Sequence, residues 1–144
     1  MPQVKFVKLH PDAKMPTKAT DGSACWDLYS NEEVKLTTSN PYKVQKIHTG
    51  ISIEIPDGYF LDIRPRSGLS GEGVIITNSP GTIDSDYIGE VIILLASLAY
   101  THIIDKGDRI CQCRLVPIIP IEWVEVDKLS ETERGEGGFG STGR

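Results

Sequence analysis

The sequence predicts an all-β domain, a sandwich or barrel of about nine or ten short strands. Three observations carry that prediction. The apolar runs are short and rich in β-branched residues. Turn residues recur about every ten residues, a spacing that suits a sandwich or barrel. No segment offers an amphipathic helix of three turns.

The elements follow in order. Residues 4–9 are mostly apolar and bounded by Pro11. Residues 50–55 alternate cleanly and stop at Pro56-Asp57-Gly58, a turn signal. Residues 59–63 follow, so these two runs are expected to form a hairpin. Residues 73–77 and 91–95 are continuous apolar runs that suit strands buried on both faces. Residues 94–99 are ambiguous between strand and helix. Residues 109–116 and 118–126 complete the set. No internal repeat and no interdomain linker interrupts them.

From Lys128 onward the chain turns polar, and from Arg134 it is glycine-dominated. Five of the 14 glycines fall in the last ten residues. Such a segment cannot bury enough surface to order itself. The chain divides into a body of residues 1–128 and a terminal segment of residues 129–144, which is either a floppy end or an arm that closes over a ligand.

Composition narrows the function. With 144 residues, 39% apolar and 24% charged, the chain is an ordinary globular domain. A net charge of −5 argues against non-specific binding to nucleic acid or to an anionic membrane. A small phosphorylated ligand stays open, since a few placed arginines bind one whatever the net charge. Three cysteines suggest no disulfide framework, which fits a reducing compartment. No signal peptide and no membrane-length apolar run is visible, so a cytoplasmic protein is expected, or one in host cytoplasm or nucleus if the source is viral.

Five segments carry chemistry. In residues 134–143, closely spaced glycines let backbone N–H groups wrap an anion. There Arg134 offers a planar fork, Ser141 and Thr142 offer hydroxyls, and Phe139 offers a stacking face. In Arg64-Pro65-Arg66-Ser67-Gly68-Leu69, Pro65 fixes the approach and Gly68 frees the exit, displaying Arg66 and Ser67 between them. Residues 78–91 place the Pro80-Gly81 turn before Asp84, Asp86 and Glu90. That acidic group is a general base for a water, a Mg²⁺ site or a solvated loop. In residues 106–113, Lys106-Gly107-Asp108 turns into a strand whose Cys111 and Cys113 share one face, at a spacing unlike a metal site. In residues 23–29, Asp27 sits in an apolar run, where a carboxylate needs a partner, a metal or a wet cavity. His10, His48 and His102 are isolated, so a histidine metal site or triad has little support.

Taken in this order, the five segments resemble the five motifs of the homotrimeric dUTPases, from about Lys5 to Arg144. The resemblance implies a jelly-roll-like distorted β-barrel subunit, assembled as a homotrimer with a swapped C-terminal arm. Each of three active sites would take residues from three subunits. The reaction implied is dUTP plus water giving dUMP and pyrophosphate, with Mg²⁺ on the triphosphate. That reaction keeps uracil out of DNA and supplies dUMP for thymidylate synthesis.

Roles carry over residue by residue. Asp84 would activate the water that attacks the α-phosphorus. Tyr87 would pack under the deoxyribose and exclude a 2′-hydroxyl. Asn78 and backbone groups of Gly81, Thr82 and Ile83 would pair with the uracil edge. Arg66, Ser67, Gly68 and Gln112 would hold the phosphate chain. Phe139 would stack over uracil, while Arg134, Gly140, Ser141 and Thr142 close on the γ-phosphate. Asp27 would orient waters on Mg²⁺ without ligating it.

Three departures stand out: Cys25-Trp26 before Asp27, Ile88 after Tyr87, and Ala96-Ser97 where an aromatic-Asn pair is frequent. No catalytic position is lost. Two other readings compete. A dCTP deaminase of the same fold would need a different polar set around the base. A nucleotide-gated regulatory protein would need a partner surface, and no insertion advertises one.

Overall fold

Ten strands and one short helix form among residues 1–38 and 43–138, which the computed structural model describes. They are β1 (Lys5–Lys8), β2 (Trp26–Tyr29), β3 (Val34–Leu36), β4 (Gln45–Glu54), β5 (Tyr59–Arg64), α1 (Ser67–Gly71), β6 (Val74–Ile76), β7 (Gly81–Ile83), β8 (Glu90–Ser97), β9 (His102–Ile104) and β10 (Arg109–Pro117). Two four-stranded sheets run β1-β4-β8-β6 and β2-β10-β5-β7, and β3 pairs with β9. Every pairing is antiparallel. The all-β expectation holds, and the stretch ambiguous between strand and helix continues β8 as far as Ser97.

The core follows from period-two alternation. In β4, Ile47, Thr49, Ile51 and Ile53 are buried while Lys46, His48 and Glu54 face out. The three isoleucines meet Leu28, Leu61, Ile63, Val91, Ile93, Leu95, Ile110 and Cys111 in one cluster. Each fully buried aliphatic side chain contributes roughly 1.5–3 kcal/mol relative to exposure.

Three local expectations need correction. The runs ending and starting at the Pro56–Gly58 turn do not pair as a hairpin. β4 already has β1 and β8 on its two sides, so the turn hands the chain to the second sheet, where β5 pairs with β10 and β7. The apolar runs of β6 and β8 are not buried on both faces: Ile75, Ile92 and Leu94 are only half-buried. Third, the expected strand over 118–126 does not form. Pro117 and Pro120 lack N–H groups, and Ile118 makes one backbone bond, to the Gly58 carbonyl. Beyond it Ile119, Ile121, Trp123, Val124, Val126 and Leu129 are exposed, Trp123 to 90%.

Candidate active site

Strand register builds the first constellation. β10 pairs Gln112 with Asp27 on one side and with Arg64 on the other, so all three share one face. Past the end of β5, Arg66 is extended, with φ −98° and ψ 134°, and immediately precedes α1. Its Nε donates to Asp27 Oδ1 at 2.8 Å, and its Nη1 donates to the Arg109 carbonyl at 3.2 Å. Arg109 Nη1 meets the other Asp27 oxygen at 3.4 Å. Gln112 Nε2 donates to the Pro65 carbonyl at 2.8 Å, which ties the loop before Ser67 to β10. The buried carboxylate of Asp27 therefore has the partners that its apolar neighbours demanded, and these hold an arginine, a serine and a glutamine at one corner.

A second buried acid, Asp62, lies on the same face, between Arg64 Nε at 2.9 Å and Arg114 Nε at 3.0 Å. Its place between Leu61 and Ile63, a carboxylate in an apolar run like that of Asp27, is the signal that could have marked it. Arg109 was visible in its segment, but its pairing with Asp27 depends on register, which no local pattern reveals.

The second constellation is a cleft of about 240 Å³ between β7 and β8. Ile63, Ile76, Ile92 and Leu94 form its apolar wall, and Asn78, Gly81, Thr82, Ile83, Asp84, Tyr87 and Glu90 line the rest. Gly81 is buried, and a Cβ there would lie 3.2 Å from Ile63 Cβ and 3.6 Å from Asn78 Nδ2. A side chain at this position would press against the Ile63 wall of the cleft. Tyr87 turns back on Asp84 through its N–H, at 3.2 Å, and its hydroxyl donates to the Glu90 carbonyl at 2.8 Å. Asp84 stands exposed at the rim.

The two constellations lie apart within one chain. None of Asp27, Arg66, Ser67 and Gln112 lines the cleft. Ile83 pairs with Leu61, so Asp84 sits toward the Tyr59 end of β5, whereas Arg66 lies beyond its Arg64 end. At about 3.4 Å per residue, the separation along the strand is on the order of 15–20 Å. Arg134 is exposed and donates from Nε to the Gly137 carbonyl at 2.7 Å, on its own arm. Phe139, Gly140, Ser141 and Thr142 lie outside the described residues.

Burial pushes the Cys113 thiol up to about 12 and the Cys111 thiol well above its ordinary value. Both are neutral core residues, unsuited to thiolate chemistry. Among the described residues no group of three or more His, Cys, Asp or Glu side chains converges as a metal site. Among the same residues no helix is long and apolar enough to cross a membrane.

Comparison with known proteins gives a consistent result. The dUTPase family model matches residues 11–143. The chain is 47% identical over 138 residues to the deoxyuridine 5'-triphosphate nucleotidohydrolase of Hydrogenobaculum sp., covering 94% of each. It is 42% identical to the enzyme of the same name from Helicobacter pylori, over 98% of this chain and 97% of that one. Among solved structures, a mutant dUTPase of Staphylococcus bacteriophage 80alpha with dUpNHpp superposes with a TM-score of 0.88 at 28% identity, covering 99% of both chains. A mutant dUTPase from phage phi11 of S. aureus, described as revealing the coordination of a structural Mg(II) ion, gives 0.78 at 25% identity, over 88% of this chain and 97% of that one.

Proposed function

The chain belongs to the dUTPase family and is a dUTP nucleotidohydrolase, and we propose that its residues divide the reaction between two half-sites that meet only between subunits. The carrying observation is the cleft with Asp84 at its rim and Asn78, Gly81 and Tyr87 within it. Its apolar wall takes a pyrimidine ring. Asn78 and the backbone of Gly81, Thr82 and Ile83 meet the uracil edge. A hydrogen-bonded base edge discriminates by up to about 10⁴–10⁵, far more than an apolar pocket alone. Tyr87 stands where the deoxyribose would pack and leaves no space for a 2′-hydroxyl.

The arginine corner takes the phosphates. Asp27 occupies Nε of Arg66, and among the described residues Arg66 Nη2 donates no hydrogen bond, so that edge is free for phosphate oxygens. Ser67, Gly68 and Gln112 flank it. Asp84 takes a proton from a water as its oxygen bonds to the α-phosphorus, and the α–β bridging bond breaks to release pyrophosphate. Such general-base assistance contributes typically 10²–10⁴-fold.

Asp27 at the corner fits Mg²⁺ held mainly by substrate. Mg²⁺ keeps several waters and takes one or two carboxylates plus phosphate oxygens. Asp27 has both oxygens engaged by arginines, which suits contact through water. When bound, the metal neutralises phosphate charge and orients the leaving group.

The separation of the half-sites supports a homotrimer, in which one subunit's cleft faces another's arginine corner. The exposed apolar run beyond Pro117 supports exchange of C-terminal segments. The arm, residues 129–144 with Arg134, Phe139, Gly140, Ser141 and Thr142, then closes over a neighbour's nucleotide. The test is pyrophosphate release with Mg²⁺ across the deoxynucleotides and UTP. Release from dUTP and hardly any from dTTP, dCTP or UTP is expected; no release from dUTP overturns the reading.

A further inference from the structure

Strand β4 carries a bulge where its ladder with β8 shifts register between His48 and Ser52. Gly50 sits there with φ 71°, and a Cβ would lie 2.9 Å from both Ala13 and Asn31. Two side chains replace the lost rungs. Thr49 Oγ1 donates to the Val91 carbonyl at 2.6 Å, and Gly50 N–H donates to Glu90 Oε1 at 2.8 Å. The other Glu90 oxygen meets His48 Nδ1 at 2.8 Å. Glu90 is thus fixed by its carboxylate from β4, while its carbonyl accepts the Tyr87 hydroxyl. Gly89 lies beneath that ring: a Cβ on it would come within 2.6 Å of the Tyr87 hydroxyl oxygen.

We propose that Glu90 is a positioning residue for Tyr87, and that the His48–Glu90 pair, through that seat, tunes discrimination between deoxyribo- and ribonucleotides. The proposal rests on the reading of Tyr87 given above and names a residue that acts behind it. A carboxylate pinned at both oxygens fixes the backbone of its own residue. Tyr87 gains a fixed acceptor at the mouth of the cleft, and the height of its ring decides whether a 2′-hydroxyl fits.

The charged groups facing His48 are Glu90 from β8, Glu32 from the loop before β3, whose Oε1 accepts the His48 N–H at 2.8 Å, and Lys46 on its own strand. The bond to Glu90 is the main cause that raises the His48 pKa above its ordinary 6.5; partial desolvation opposes it. The charged pair is therefore complete below that value and is lost as pH rises through the raised one.

The test is the ratio of kcat/KM for dUTP to that for UTP, between about pH 5.5 and 9. Ionisation of the triphosphate and of its metal affects both substrates alike and cancels in the ratio. The ratio should be highest in acid and fall about twofold to fivefold through the histidine transition, as expected for a half-exposed ion pair. His48→Gln should hydrolyse dUTP with a ratio that no longer changes with pH. Tyr87→Phe should lower the ratio, and adding His48→Gln to it should cost nothing further. Equal pH dependence in wild type and His48→Gln, or additive losses in the double variant, overturns the proposal. Failure of the wild type to hydrolyse dUTP at any pH would instead overturn the reading of the cleft. Because neither variant alters the Glu90 carboxylate, the bulge keeps its bond to Gly50 and the comparison does not hinge on folding.

Discussion

At the scale of single residues, chemistry and scaffold are separable by substitution. Asp84 is exposed and packs against nothing in the core, so Asp84→Asn should fold and bind nucleotide normally. Its kcat should fall about 10²–10⁴-fold. Calorimetric binding of dUMP alongside a pyrophosphate assay checks both halves; an undiminished rate removes Asp84 as the base. Asp27 behaves differently, because its loss strands two guanidiniums. Both arginines keep solvent contact, with side chains 25% and 46% exposed, so Asp27→Ala should cost only about 1–3 kcal/mol in urea denaturation. Its KM for dUTP should rise, since Arg66 loses its anchor. That Asp27 needed partners was legible, because a carboxylate among apolar neighbours cannot stand alone. Which partners it has was not, because Arg66 and Arg109 are 39 and 82 residues away in the chain. For Asp62 only half of the setting is distant: Arg64 is two residues along the same strand, while Arg114, 52 residues away, reaches it once β5 and β10 pair.

At the scale of elements, the sequence showed most strands but not their partners. Alternation in β4 and the apolar runs of β6 and β8 located those strands, since side-chain period is local. Pairing is not local: alternation and the Pro56–Gly58 turn predict a hairpin of 50–55 with 59–63, whereas 59–63 belongs to the other sheet. The run at 118–126 has strand composition and lies beyond the last paired strand, and among the described residues it joins no edge. β1 is an edge strand with every residue exposed, next to an apolar groove lined by Val4, Phe6, Trp26, Tyr59 and Leu115. On the proposed assembly, this exposed edge and the exposed apolar segment would pair between copies. Truncation after Pro117 should therefore give a species that sediments as a monomer or aggregates. Truncation after Arg134 should keep the assembly and the melting temperature but lose most activity. If the shorter truncation still assembles, the segment is not what joins the subunits.

At the scale of the whole molecule, the proposed division of the site between subunits of a trimer can be tested by mixing. Arg66→Ala and Asp84→Asn should each be nearly inactive alone. Unfolded together and refolded as mixed trimers, they place one intact pair of half-sites in three of every four assemblies. Random mixing should then restore about a quarter of wild-type activity. Recovery of nothing would mean that both half-sites serve within one chain. The five motifs and their order were legible because each is a short run of chemistry-bearing residues. The distance between the cleft and the arginine corner was not, because the roughly 15–20 Å between them follows from the pairing of β5 with β7 and β10.

The protein's two tryptophans occupy the two sides of that proposed pairing: Trp123 stands 90% exposed on the run beyond β10, and Trp26 lines the groove beside β1. Assembly would move one indole out of water and cap the other. Emission excited at the indole band should therefore shift to the blue as subunits join and return to the red on dilution. The chain carries its own optical gauge of association, readable without a label and without substrate.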